Sequence, residues 1–207
     1  MEECVIPQLL NLTEGKMAVK ISRTIITEFL STGKKIATTE FDVSPIFNEH
    51  RGVFVTLNKK NELRGCIGRP YPDTQLLDAI IDSAISAATN DPRFPVVRLI
   101  ELDEILIEVT ILTPPILIEG NEDDIMSSII IGEHGLIIKK GFNQGLLLPQ
   151  VATEHGFDVY DFLSNTCLKA GLPPSQWKDK NTQIYKFEGQ IFKEKSPGGE
   201  VIEKHLE

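Results

Sequence analysis

The sequence predicts an α+β protein, mainly antiparallel sheet with flanking helices. Three observations carry that expectation. Residues 103–112 alternate as a strand does, with Ile105, Ile107, Val109 and Ile111 on one side and Leu106, Glu108, Thr110 and Leu112 on the other. Two further pairs of extended runs, residues 52–57 with 63–68 around Asn58-Lys59-Lys60-Asn61 and 135–140 with 145–148 around Gly141-Phe142-Asn143-Gln144, read as hairpins. Stretches of helical period are interspersed among them. Hairpin links favour an antiparallel sheet over a doubly wound parallel one, which needs long crossovers.

In chain order, residues 13–32 form the first helix. Thr13 is placed to cap it, Ala18, Ile21, Ile25 and Phe29 recur at helical spacing, and Gly33 can end it. Phe41, Val43, Ile46 and Phe47 anchor the mixed segment around Pro45. After the first hairpin, a second helix starts near Asp73 or Thr74 and runs to about Thr89. Its stripe is Leu77, Ile80, Ile81, Ala84 and Ala88, small enough in places to lie close to a sheet. The helix stops at Asn90-Asp91-Pro92, because proline disfavours helical geometry in the residue before it. Arg93-Phe94-Pro95 is then a rigid loop presenting an arginine beside an aromatic ring.

Pro114-Pro115 ends the 103–112 strand, and Glu119, Glu122, Asp123 and Asp124 read as a polar helix entry. Residues 125–131 fit helix or strand. Beyond the second hairpin, Asp158 is placed to cap a helix with Phe162, Leu163, Cys167 and Leu168 inward, closed by Gly171. Residues 184–192 read as a last strand, and Ser196-Pro197-Gly198-Gly199 opens a loose tail.

The totals narrow the function classes. The 207 residues are 41% hydrophobic and 25% charged, ordinary for a globular protein, and can bury a real core. A net charge of −9 argues against a duplex-DNA binder, whose affinity comes largely from neutralised phosphates. The basic residues Lys16, Lys20, Arg23, Lys34 and Lys35 read as a solvated helix face. Cys4, Cys66 and Cys167 are odd in number and widely spaced with no CxxC pair, which argues against a zinc site or a disulfide framework. No apolar run approaches the ~18 residues of a membrane span, and no leader pattern opens the chain. A cytoplasmic protein with reduced thiols is expected.

The candidate chemistry concentrates in Leu63-Arg64-Gly65-Cys66-Ile67-Gly68. In an extended arm Arg64 and Cys66 share one face and Leu63 and Ile67 the other. Gly65 and Gly68 leave backbone uncovered for something to approach. A guanidinium two residues away, about 6.6 Å along a strand, would favour the thiolate by up to about 2.5 kcal/mol at an effective dielectric near 20. Such support would make Cys66 a nucleophile; the alternative is a small buried hydrophobe, with Arg64 as a tether. Arg93 suits a carboxylate or phosphate, or else an ion pair holding its loop. His134, between Gly132 and Gly135, can move a proton for a nearby thiolate or satisfy a turn. His50 and His155 have no evident partner. Cys167 lies on an apolar face, and Cys4 lies near the N-terminus. No HExxH, phosphate-loop or dinucleotide pattern is present, so no metal ligands are assigned.

These residues carry a resemblance. Leu63 to Gly68 matches the hallmark motif of the AMMECR family, named for a chromosomal region deleted in a syndrome of nephritis, midface hypoplasia, intellectual disability and elliptocytosis. Further matches follow in order at residues 52–57, 91–95, 132–136, 145–152 and 167–172, then Trp177; Phe157 stands where members often carry tryptophan. The resemblance implies an α+β fold in two unequal parts, the larger holding both chain ends, with the motif near their junction. On that basis residues 1–50 and 100–195 are expected to form the larger part, 51–99 the smaller, and 196–207 a flexible tail. No defined reaction and no cofactor are implied. Related chains occur fused to, or encoded beside, a Memo-like protein and a radical S-adenosylmethionine protein, which suggests partners of those classes.

Two functions stand side by side. One is a binding or regulatory module using Arg64, Gly65, Gly68 and Arg93. The other is a cysteine-dependent enzyme or thiol-redox subunit acting on an anionic substrate, with Cys66 and His134 as its catalytic pair.

Overall fold

The computed structural model describes residues 8–204. They divide into two compact units. Residues 8–113 and 190–204 form one, and residues 114–189 form the other. This division differs from the one expected. Residues 51–99 are not a unit of their own, because their hairpin shares a sheet with the 105–112 strand and is covered by the same helices. Residues 114–189 separate instead, around their own sheet and core.

In the first unit, helix α1 (Leu12–Thr32) starts one residue before the expected cap. Asn11 is the cap: its side chain accepts from the Glu14 N–H, and the Glu14 carboxylate accepts from the Asn11 N–H. Gly33, at φ 74°, ends the helix as expected. Strands β1 (Val53–Lys59) and β2 (Glu62–Arg69) form the first hairpin, followed by α2 (Leu76–Thr89) and β3 (Ile105–Leu112). The sheet is completed by β8 (Gly189–Glu194) and β9 (Val201–Lys204), in the order β2-β1-β3-β8-β9. Val53, Val55 and Leu57 of β1 and the odd-numbered residues of β3 from Ile105 to Ile111 are buried on one face. Ala18, Ile21 and Ile25 of α1 and Ile80, Ile81 and Ala84 of α2 close over them as a single hydrophobic core. That match of period-2 strands to period-3.6 helices is what holds the sheet.

The basic face of α1 is only partly solvated. Arg23 forms a pair with Glu194 at 2.5 Å and donates to the carbonyls of Leu102 and Ile105. The expected loose tail is structured through residue 204: β9 pairs with β8, Glu194 opposite Val201 and Ile191 opposite Lys204. Cys4 lies outside the described residues.

The second unit contains β4 (Ile116–Leu117), α3 (Glu122–Ser127), β5 (Gly135–Lys140), β6 (Asn143–Leu147), α4 (Pro149–His155), α5 (Val159–Lys169) and β7 (Gln183–Phe187). Its sheet runs β4-β7-β5-β6. The acidic run does enter a helix, capped reciprocally by Asn121 and Asp124. Asp158 caps α5, and Phe162, Leu163 and Cys167 are buried with Leu136, Ile138 and Trp177. Leu168 instead points outward, 54% exposed. The expected single strand over 184–192 is two: β7 ends at Phe187 and β8 begins at Gly189, each in a different sheet. Glu188-Gly189-Gln190 separates the two apolar runs, but local pattern does not show that they join different sheets. No helix among the described residues is long and apolar enough to cross a membrane.

Two glycines record how closely backbones approach. A methyl group on Gly65 would collide with the Ala87 carbonyl oxygen of α2, and one on Gly145 with the backbone at Ala170. We therefore expect Gly65→Ala to cost about 2 kcal/mol of unfolding free energy in a urea titration. Phe142→Ala, at a fully exposed turn, should change it by less than about 0.5 kcal/mol.

Candidate functional site

The site begins with a register shift. Lys60 and Asn61 form the two-residue turn between β1 and β2, both with left-handed backbone at φ 53° and 65°, which suits the twist of a hairpin. Asn58 faces Leu63, but Leu57 faces Gly65 and Thr56 faces Cys66, leaving Arg64 as the extra residue of a β-bulge. Without the bulge Cys66 would fall opposite Val55 and point into the core. With it, Gly65 lies beneath α2 and Cys66 is turned to the opposite face. Leu63, opposite Asn58, shares that face with Cys66, whereas Ile67, opposite Val55, lies on the core side; the expected pairing of Leu63 with Ile67 does not occur.

Strand β2 is an edge strand, so the backbone groups of Cys66 that point away from β1 need other partners. The DPRFP loop supplies them. Asp91 Oδ2 accepts the Cys66 N–H at 2.8 Å, and Arg93 Nη2 donates to the Cys66 carbonyl at 3.2 Å. Arg93 is held in turn by Asp91, Nε to Oδ1 at 2.9 Å and Nη2 to Oδ2 at 2.7 Å. The Asp91 side chain is only 2% exposed, while that of Arg93 is 54% exposed and lies beside the Phe94 ring, 5.5 Å from its centroid. The Arg93 guanidinium, and after it the backbone N–H groups of Cys66 and Arg93, keep the Asp91 carboxyl well below the usual carboxylate range, although burial acts in the opposite direction.

Arg64 turns to a second carboxylate. Its guanidinium donates to the Pro95 carbonyl at 2.8 Å and reaches both oxygens of Glu101 at 3.2 and 3.3 Å. Lys59 meets the same carboxylate at 3.1 Å, and the Arg98 N–H donates to it at 3.0 Å. The Arg64 hydrogen bonds, before the others, lower the Glu101 pKa to about 2.

The thiol therefore has a different environment from the one expected. Thr56 Oγ donates to Cys66 Sγ at 3.2 Å, and Glu108 stands opposite Thr56 on β3, so Cys66, Thr56 and Glu108 form one row across three strands. Burial pushes the Cys66 thiol up, outweighing the Thr56 hydrogen bond and the charge of Arg93, which favour the thiolate; Asp91 and Glu108 disfavour it. The cation that acts on the sulfur is Arg93, with Arg64 engaged by Glu101.

The remaining expected residues are placed as follows. His134 belongs to the other unit, just before β5. Its Nδ1 accepts the Ile130 N–H at 2.9 Å, Nε2 is 3.9 Å from a Glu188 oxygen, and burial, then Lys186, lowers its pKa. These contacts are those of a histidine satisfying a turn. Neither glycine presents the bare face expected of it: α2 fills the space over Gly65, and the Phe54 ring covers Gly68. Cys167 is fully buried. His155 Nδ1 donates to the Val151 carbonyl and its ring lies beside Phe157, and His50 bridges to Gln75. Among the described residues no three or more His, Cys, Asp or Glu side chains gather as a metal site would require.

Three residues that matter here escape sequence reasoning: Asp91, Glu101 and Thr56. A carboxylate two positions before Arg93 was a usable signal for the first. The others depend on register and on chain folding over 37 residues.

With this geometry in view, the comparisons with known proteins are decisive for family. The AMMECR1 family model matches residues 19–192, and the chain belongs to that family. A protein from Methanosarcina mazei is 56% identical over 198 residues, covering 95% of this chain and 99% of its own. One from Methanocaldococcus jannaschii is 52% identical over 202 residues, covering 96% and 99%. A crystal structure of an uncharacterized protein from Pyrococcus horikoshii is similar with a TM-score of 0.82 at 46% identity, covering 95% of this chain and 99% of that one.

Two outcomes follow from the electrostatics. Because folding depresses Glu101, its contribution is complete above the ordinary value of 4.5 and is lost as pH falls towards about 2. Glu101→Gln should therefore destabilise the protein by on the order of 2 kcal/mol at pH 7, after allowance for solvent screening, and by much less near pH 2.5. Urea titrations at the two pH values check this; equal losses would contradict it. The Cys66 thiol should titrate above an ordinary cysteine, seen as iodoacetamide modification that stays slow at pH 7 and climbs only beyond about pH 9.

Proposed function

We propose that this protein is a binding or regulatory module in which the motif strand and the DPRFP loop present a fixed recognition surface. The observation that supports this reading is the state of Arg93. One edge of its guanidinium is held by Asp91 and the Cys66 carbonyl, while more than half of the side chain remains exposed beside Phe94. A guanidinium already oriented loses little freedom when it meets a carboxylate or phosphate on a partner. A thiol whose pKa is raised is a poor nucleophile at neutral pH, so the cysteine-enzyme reading is the weaker one. In the binding reading Cys66 serves through its backbone and packing, and Arg64 is the tether that fixes the loop carrying Arg93.

The resemblance suggests Memo-like and radical S-adenosylmethionine proteins as partners. Cys66 and Cys167 are free thiols, in keeping with a reducing cytoplasmic setting.

The test is quantitative affinity capture with purified Memo-like and radical S-adenosylmethionine proteins from the same source. Arg93→Ala should weaken capture tenfold or more, while Cys66→Ala leaves it within twofold. Capture lost with Cys66→Ala but kept with Arg93→Ala would reverse the assignment. So would a Cys66 thiol pKa below ~8.5 in the native protein.

A further inference from the structure

We propose that the cavity at the far end of the motif strand is a binding site for a small phosphomonoester, separate from the Arg93 surface. The cavity has a volume of about 390 Å³ and lies where the C-terminal part of α1 and the face of α2 meet β2. Its polar side is built from Lys35, Arg69, Asp82 and Ser83; Phe29, Ile67 and Ile85 supply an apolar wall.

The charge arrangement points to an anion. Lys35 Nζ meets Asp82 Oδ1 at 2.6 Å, and Arg69 Nη2 meets Asp82 Oδ2 at 2.9 Å, so one carboxylate holds two cations side by side. One positive charge is left over, in a chain whose net charge is −9. Both cations keep further donors, since an ammonium has three N–H groups and a guanidinium five. Their side chains are 47% and 43% exposed, open to an incoming ligand.

A second, independent observation lies in the wall. Ser83 is 1% exposed, and its Oγ has no hydrogen-bond partner. A buried hydroxyl in that state is costly, and helical serines ordinarily relieve it by bonding to the carbonyl four residues back. Ser83 lines the cavity instead. Gly68 adds a donor. In an antiparallel ladder, residues two apart direct their N–H groups to the same side, so the Gly68 N–H faces the free edge of β2 as that of Cys66 does. The DPRFP loop takes the Cys66 group, and Gly68 is among the residues that line this cavity.

Two cations, a hydroxyl and an amide suit the several acceptor oxygens of a phosphate better than a planar carboxylate. The cavity's volume is that of a small-molecule site, and its apolar wall selects a ligand with a hydrocarbon or aromatic body.

Isothermal titration with phenyl phosphate, inorganic phosphate and benzoate tests the assignment. Phenyl phosphate is expected to bind at least tenfold more tightly than either other probe. Lys35→Gln and Arg69→Gln should each weaken it tenfold or more, and Ser83→Ala about tenfold, in proteins whose circular dichroism matches the parent. Arg93→Gln should leave binding within twofold, which keeps failure here distinct from failure of the Arg93 reading. No heat with phenyl phosphate at several millimolar would overturn the proposal. So would binding indifferent to Lys35→Gln and Arg69→Gln, or benzoate binding as tightly as phenyl phosphate.

Discussion

A single buried carboxylate organises the motif strand. Asp91 accepts the N–H of Cys66 from the unpaired edge of β2 and holds Arg93, which closes the neighbouring carbonyl. An edge strand with open backbone groups invites pairing with other chains. Here a carboxylate and a guanidinium take the place of a sixth strand at one residue, and the charge that remains outward is that of Arg93. Burial of Asp91 is tolerable because its oxygens meet several donors, including a cation.

The bulge at Arg64 and the contact at Gly65 act together with that carboxylate. The bulge turns Cys66 away from the core, and the absence of a side chain at Gly65 lets α2 come close enough to deliver the DPRFP loop to the strand edge. Arg64, displaced from the ladder, becomes free to reach Glu101 and the Pro95 carbonyl and so fixes the other end of that loop. Each residue of the motif thus has a structural task. The functional surface is what these tasks leave exposed.

Much of the fold was legible in the chain. The buried stripes of α2 and β3 follow from their periods, the Gly33 stop from its backbone freedom, and both hairpins from paired runs around turn residues. What escaped is non-local or depends on one-residue shifts. The exchange of Asn11 for Thr13 as cap was within reach, because Glu14 stands three residues after Asn11. The break at Glu188 was not, since residues on either side are equally suited to a strand and differ only in which sheet they join. The site was half visible. Cys66, Arg64 and Arg93 were singled out by type, but the Arg64–thiol pairing failed because the bulge re-aims Arg64, and Asp91 had been read only as a helix stop. His134 was grouped with Cys66 on chemistry alone, and its ring contacts are local to its own unit.

The most direct measurement is hydrogen exchange at the Cys66 amide, compared with Val55 in the same sheet, in the parent and in Asp91→Ala. If Asp91 secures the edge, the Cys66 amide of the parent is protected although no strand pairs with it on that side. In Asp91→Ala it should then exchange at least a hundredfold faster, with a much smaller change at Val55. A Cys66 amide that stays as protected as Val55 after loss of the carboxylate would contradict the account.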